Sequence, residues 1–214
     1  MTPRPPFAER RFVLEVVVFV SAGVGMVLEL AGSRLMAPHF GNSLFVWTSL
    51  IGVILAFMSL GNYLGGRLAD RWLDASVLSW VMGIAALGVV AMSFSEGTVL
   101  PALATAGSIR LMSVAASCLL FAVPSMLLGV VTPYAIRIRM HGLEHAGATV
   151  GRLYALATLG SIAGTFAAGF WLLSVMGTHR LILLSAAVLV VLAALVMGRV
   201  DWRKVALLLL VAAL

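Results

Sequence analysis

Apolar residues fall into six long blocks, roughly 12–31, 44–66, 77–95, 109–132, 151–175 and 179–198, parted by short segments that hold most of the charge. Each block is close to the ~20 residues that a helix needs to cross a bilayer. The pattern predicts an all-α membrane protein with a six-helix transmembrane bundle. It also predicts three segments: 1–11 as a cytoplasmic lead, 12–198 as the bundle, and 199–214 as a basic loop opening a further apolar run. That run, Val205 to Leu214, is too short to span. It is expected either as the start of a truncated seventh helix or as a tail lying at the interface.

Composition strengthens this picture. The chain has 214 residues, of which 62% are hydrophobic and 10% charged, with a mean hydropathy of +1.12. Soluble domains carry about 25% charged residues, so lipid is the expected solvent for most of this surface. The net charge of +6 comes in short clusters between apolar blocks. That is a topology signal, and no basic patch with interleaved aromatics points to nucleic acid. The single cysteine, Cys118, lies in an apolar run, where it reads as a packing residue.

Arg4, Arg10 and Arg11 before the first block could open a signal peptide, and Arg10-Arg11-Phe12 faintly resembles a twin-arginine signal. The block itself is spanning length and contains Glu15 and Glu29, so a retained helix is expected. With the N-terminus inside, the inner segments hold Arg4, Arg10, Arg11, Arg67, Arg71, Arg137, Arg139, Arg152, Arg199, Arg203 and Lys204. The outer segments hold Arg34, Arg110 and Arg180. Eleven against three sets a cytoplasmic N-terminus. Trp47, Trp72, Trp80 and Trp202 fall near the block ends, where an amphipathic ring sits well.

Small residues recur at one-turn spacing. Gly61 and Gly65, and Gly160 and Gly164, form GxxxG patterns, with Ser161, Thr165 and Gly169 extending the second. Such faces let helix backbones approach closely; a substrate path beside the same glycines is the other use. Pro124 is expected inside the fourth helix, and Pro38 and Pro133 at helix ends. No internal repeat stands out along the chain.

Few residues offer chemistry. Glu29 lies within an apolar block, where an acid is expensive and marks a functional site by default. Either it pairs with Arg34 and anchors the helix end, or it forms an acidic site for a cation or proton. Glu15 is expected to snorkel and pair with Arg11. Gly65-Gly66-Arg67-Leu68-Ala69-Asp70-Arg71 reads as a tight exit from the membrane, with Asp70 near the start of the next helix. It resembles the loop signature of major facilitator superfamily transporters, in which the Asp helps gate motion. His141 and His145 could pair on a metal, but solvated loop histidines are the simpler expectation. No HExxH, CxxC, Walker or nucleophile-elbow motif occurs, so no catalytic residue, metal or cofactor is assigned.

A more specific resemblance runs over residues 12–180. Glu29-Leu30, Arg34-Leu35, Pro38, Phe40-Gly41-Asn42-Ser43 and Trp47-Thr48 lead into Gly61-Asn62-Tyr63-Leu64-Gly65-Gly66-Arg67. A second block holds Thr132-Pro133-Tyr134-Ala135, Gly151-Arg152-Leu153-Tyr154-Ala155, Leu159-Gly160-Ser161, Gly164-Thr165, Gly169-Phe170 and Gly177-Thr178. Together they resemble the N-terminal membrane domain of spermidine-synthase-like membrane proteins, which fuse a facilitator-like bundle to an aminopropyltransferase. The resemblance implies a bacterial cytoplasmic-membrane module that transports or presents a polyamine or other organic cation. Glu29, Arg34, Trp47 and Tyr154 are then the ligand-binding residues, and Gly65, Gly66, Arg67, Asp70 and Arg71 the gating or structural loop. The expected partners are the bilayer, an organic cation, and a second copy or a soluble aminopropyltransferase-type domain. Residues to Leu214 lack the acidic and glycine-rich loops of that enzyme, so aminopropyl transfer is not assigned. The alternative function is a non-catalytic anchor or assembly subunit; an enzyme acting within the bilayer has the least support.

Overall fold

The structure, a computed structural model, describes residues 11–140 and 146–198. The histidine pair 141/145, the first ten residues and the tail from 199 onward, with its apolar run, lie outside the described residues. Six helices account for nearly all of the rest: α1 (Arg11–Phe40), α2 (Leu44–Arg71), α3 (Ala75–Ala104), α4 (Ile109–Arg139), α5 (Ala146–Met176) and α6 (Thr178–Met197). Each is long and apolar enough to cross a bilayer. The chain is an all-α membrane protein.

Four helices outrun their apolar blocks, ending at 40, 71, 104 and 139 where hydropathy stops at 31, 66, 95 and 132. Hydropathy marks the stretch solvated by hydrocarbon, whereas helical hydrogen bonding continues into the interface because every backbone group must still be satisfied. Two expectations fail for this reason. Pro133 lies inside α4, six residues before its end, and Gly65-Gly66 sit within α2. The turn after α2 is instead Trp72 to Asp74, and Asp74 caps α3 by accepting the Ser76 N–H at 3.0 Å. At the other end a single residue, Gly177 at φ 75°, joins α5 to α6 in a conformation that favours glycine.

Packing pairs α2 with α4, α1 with α5, and α3 with α6. The first two pairs run parallel and rest on the predicted glycine faces. A Cβ on Gly65 would stand 2.8 Å from the Val130 backbone, and one on Gly164 would stand 2.7 Å from Gly23 Cα. Gly61 meets the Met126 carbonyl, and Gly160 the Phe19 carbonyl. Gly169 does not join this face; its Cβ direction is open. The π-helical turn Ala168–Leu172 intervenes there and turns Ala168 inward instead.

These contacts reveal a repeat that inspection of the sequence misses. A shift of 99 positions carries Gly61 and Gly65 to Gly160 and Gly164, and a shift of 107 carries their partners Phe19 and Gly23 to Met126 and Val130. A shift of 100 carries Ser79 to His179 while Ser93 goes to Ala193, and Ser79 bonds the Ala193 carbonyl at 2.7 Å as Ser93 meets His179 at 3.1 Å. Helices α1–α3 therefore exchange with α4–α6. The exchanged helices run in opposite directions, so the repeat is inverted, with its two-fold axis across the bundle. Sequence hides it because only backbone-approach positions need to match.

Candidate functional site

The repeat supplies a ruler. Helices α1 and α4 run antiparallel with Gly25 beside Leu128. Two residues back on α1 and two on along α4 stand Gly23 and Val130, the pair that the two-fold exchanges. The axis crosses at their height. Glu29 is six residues from Gly23, about 9 Å at 1.5 Å per residue. That is well inside the ~15 Å half-thickness of a hydrocarbon core. The side chain is half-buried, and no residue of the described chain gives it an ion pair or hydrogen bond.

Arg34 does not supply one. It is exposed on α1, and five residues of helix turn it about 140° away from Glu29, outside the i, i+3 and i, i+4 positions that meet. Nor do the other expected ligand residues converge. On the same ruler Arg34 stands about 16 Å above the axis and Trp47, on α2, about 27 Å above, while Tyr154, on α5, stands about 15 Å below. Trp47 is half-buried, whereas Tyr154 is exposed. Of the four, Glu29 alone lies at membrane depth on the far side of the axis.

The end carrying most of the described arginines (the basic end) is tied together. Glu15 does not pair with Arg11. It turns into the bundle, where Arg139 of α4 bonds one carboxylate oxygen and Arg152 of α5 the other at 3.0 Å. The Glu15 and Arg139 side chains are 14% and 12% exposed, so the contact between α1 and α4 is nearly dry, and Arg152 reaches it from an exposed position on α5. Asp70 sits in the last turn of α2 rather than at the start of a helix, and it accepts from Arg137 at 2.9 Å on an exposed surface. Gly65 packs on α4, Gly66 faces open space, and the Arg67 guanidinium lies 4.7 Å over the Tyr63 ring. Arg71 is exposed at the helix end. The expected gating loop is thus the closing turns of α2. The turn that follows is held by the fully buried Tyr134, whose hydroxyl reaches the Trp72 carbonyl, the Asp74 carbonyl at 2.8 Å and the Asp74 N–H at 3.2 Å.

One cluster was not legible as a site. Near the far ends of α3 and α6, His179 Nδ1 lies 3.1 Å from Ser93 Oγ and 3.4 Å from Glu96 Oε1. Glu96 Oε2 is buried without a hydrogen-bond partner. An apolar block closed at residue 95 leaves Glu96 looking like a loop acid. The apolar residues Val99, Leu100 and Leu103 beyond it were the available signal that the helix continues.

Architecture and side chains define the class: a six-helix membrane bundle built as an inverted repeat, tied at its basic end and holding an unpaired acid at depth. No family model, curated protein or solved structure matches the chain. The likeness to spermidine-synthase-like membrane domains rests on the sequence blocks alone.

Proposed function

We propose that the chain is a facilitator-like membrane module that transports or presents an organic cation, with polyamines the class favoured by the sequence resemblance. The observation that carries this reading is Glu29, a carboxylate at membrane depth with no partner in the described chain. An uncompensated charge there costs several kcal/mol unless a ligand, proton or water path meets it. Inverted repeats support the same reading, since transporters built this way place their sites close to the repeat axis. The module belongs, on this view, in a bacterial cytoplasmic membrane with its basic end inside.

Saturable binding of radiolabelled spermidine to the purified chain is the expected result. Glu29→Gln should abolish it while the protein stays monodisperse, and Arg34→Gln should have a milder effect. Equal binding by parent and Glu29→Gln overturns the assignment. Orientation is checked separately with an impermeant thiol reagent on intact cells, which should label Gly107→Cys and spare Met140→Cys.

A second reading, a non-catalytic anchor or assembly subunit, draws on α5. Only Leu153, Gly160 and Ala168 of that helix are buried, and Phe166, Phe170 and Trp171 stand out from the bundle. A second copy or an aminopropyltransferase-type domain would meet the bundle on this face. In that case Phe166→Ala with Phe170→Ala disrupts assembly, and Glu29→Gln leaves it intact.

A further inference from the structure

Three contacts fix the register of the antiparallel helices α1 and α4. Gly25 stands beside Leu128, Gly32 beside the Phe121 ring, and Met36 Sδ lies 3.6 Å from Ser117 Oγ. Each step up α1 is matched by an equal step back along α4, so Glu29 stands level with Pro124 and Ser125. Glu29 follows Gly25 by four residues and Ser125 follows Phe121 by four, and each such step turns about 40° from the contact line. In an antiparallel pair these two turns carry the side chains to the same side of the seam. Glu29 and Ser125 thus share one side, within about 1.5 Å of one height. Leu28 and Pro124 lean to the other side, where both are buried and Pro124 lies against Gly88 of α3.

Ser125 differs from other buried serines. Ser21, Ser117 and Ser185 return their hydroxyl proton to a carbonyl of the preceding turn, and Ser79 bonds across to Ala193. Ser125 is 6% exposed, and its hydroxyl has no hydrogen-bond partner among the described residues. The oxygen is nonetheless not sealed in. Glu29, half-buried at the same height, is likewise unmet, and no hydrogen bond joins the two. Two polar groups at membrane depth therefore flank one seam on one side without meeting each other, an expensive arrangement in an empty site. Room beside them is kept by Gly25, one turn from Glu29, whose Cβ direction meets only Leu128 Cδ1 at 4.0 Å.

We infer that Ser125 is a second ligand of the Glu29 site and that the two residues together select a primary ammonium. The inference rests on the cation-binding reading above and names the chemical class of the cation. Two carboxylate oxygens and one hydroxyl oxygen offer three acceptors, which match the three N–H donors of an R–NH3+ group. The carboxylate supplies the charge-assisted bonds. The hydroxyl supplies discrimination, because a site built to hydrogen-bond its ligand rejects an analogue that lacks the donor. A quaternary ammonium keeps the charge but has no N–H, so it leaves Ser125 as unmet as before.

The test compares spermidine with its fully N-methylated analogue, quaternary at each nitrogen, by equilibrium binding to the purified full chain. The parent should bind spermidine about tenfold tighter or more. Ser125→Ala should weaken spermidine about tenfold, leave the analogue within about twofold of the parent, and so remove most of the preference. A serine that merely packs α1 against α4 would lower both ligands together. Ser125→Cys, similar in size and a poor acceptor, replaces Ser125→Ala if that variant does not fold. Binding of neither ligand by the parent overturns the cation reading and this inference with it. Saturable spermidine binding that needs Glu29, but with equal affinity for the analogue or an undiminished preference in the Ser125 variants, overturns the role of Ser125 alone.

Discussion

The two ends of the bundle are exchanged by its own symmetry, yet they differ in how fully their polar groups are met: His179 bonds Ser93 and Glu96 at the far end, but other groups there stay unmet. At the basic end Glu15 meets two arginines, Asp70 meets a third, and Tyr134 pins the turn after α2. At the far end Glu29 has no partner, Glu96 keeps a buried unsatisfied oxygen, and two helices start without side-chain caps. A buried charge removed from its partner is costly, so the basic end reads as stabilised structure. Groups left unmet at the far end have bonding capacity in reserve. The difference teaches that similar backbone frames can be put to unlike uses by side chains alone, and that ligands are to be sought at the far end.

The largest expected effect lies at the axis, which belongs to both ends. Gly160→Leu places a side chain against the Phe19 carbonyl and should cost more than about 4 kcal/mol, seen as loss of monodisperse protein. Gly66→Leu, with open space at its Cβ, should fold like the parent; equal behaviour of the two variants would show that the seam is not a tight contact.

Glu15→Gln comes next. It removes the carboxylate that Arg139 and Arg152 both face, and about 3 kcal/mol of stability should go with it. The readout is the melting temperature in detergent, and a shift of under 1 °C would remove the contrast between the ends. Tyr134→Phe deletes one hydroxyl from the turn at Trp72–Asp74, and about 1–2 kcal/mol is expected. Hydrogen exchange should rise in residues 72–76 and not at the far end. The smallest effect is at Glu29. Glu29→Gln breaks no bond within the described chain, so stability should stay within about 0.5 kcal/mol of the parent or rise. A loss as large as that of Glu15→Gln would mean that Glu29 is structural after all.

Much of the frame was legible beforehand. The six spans follow from hydropathy because lipid leaves few alternatives to a helix, and Gly61, Gly65, Gly160 and Gly164 follow from one-turn spacing. The partners of the acids were not legible. Glu15 bonds residues 124 and 137 positions away, and local spacing suggested Arg11 instead. Arg34 looked close to Glu29 in sequence, but helical rotation carries it to another face. Tyr154 shares a motif with the second glycine seam and yet lies on the opposite side of the axis from Glu29. Sequence spacing places residues along one helix well and says little about which helices meet.

Those separations have a consequence for synthesis at the ribosome. Chains grow at about 5–20 residues per second. Glu15 therefore waits roughly 6–25 s from its own addition before Arg139, 124 residues later, is made. The seam of α1 must wait longer still, since Gly160 belongs to the fifth helix. A nascent first helix enters the membrane with an unmatched acid and an unfilled groove, held there by its own apolar length until the fifth helix emerges.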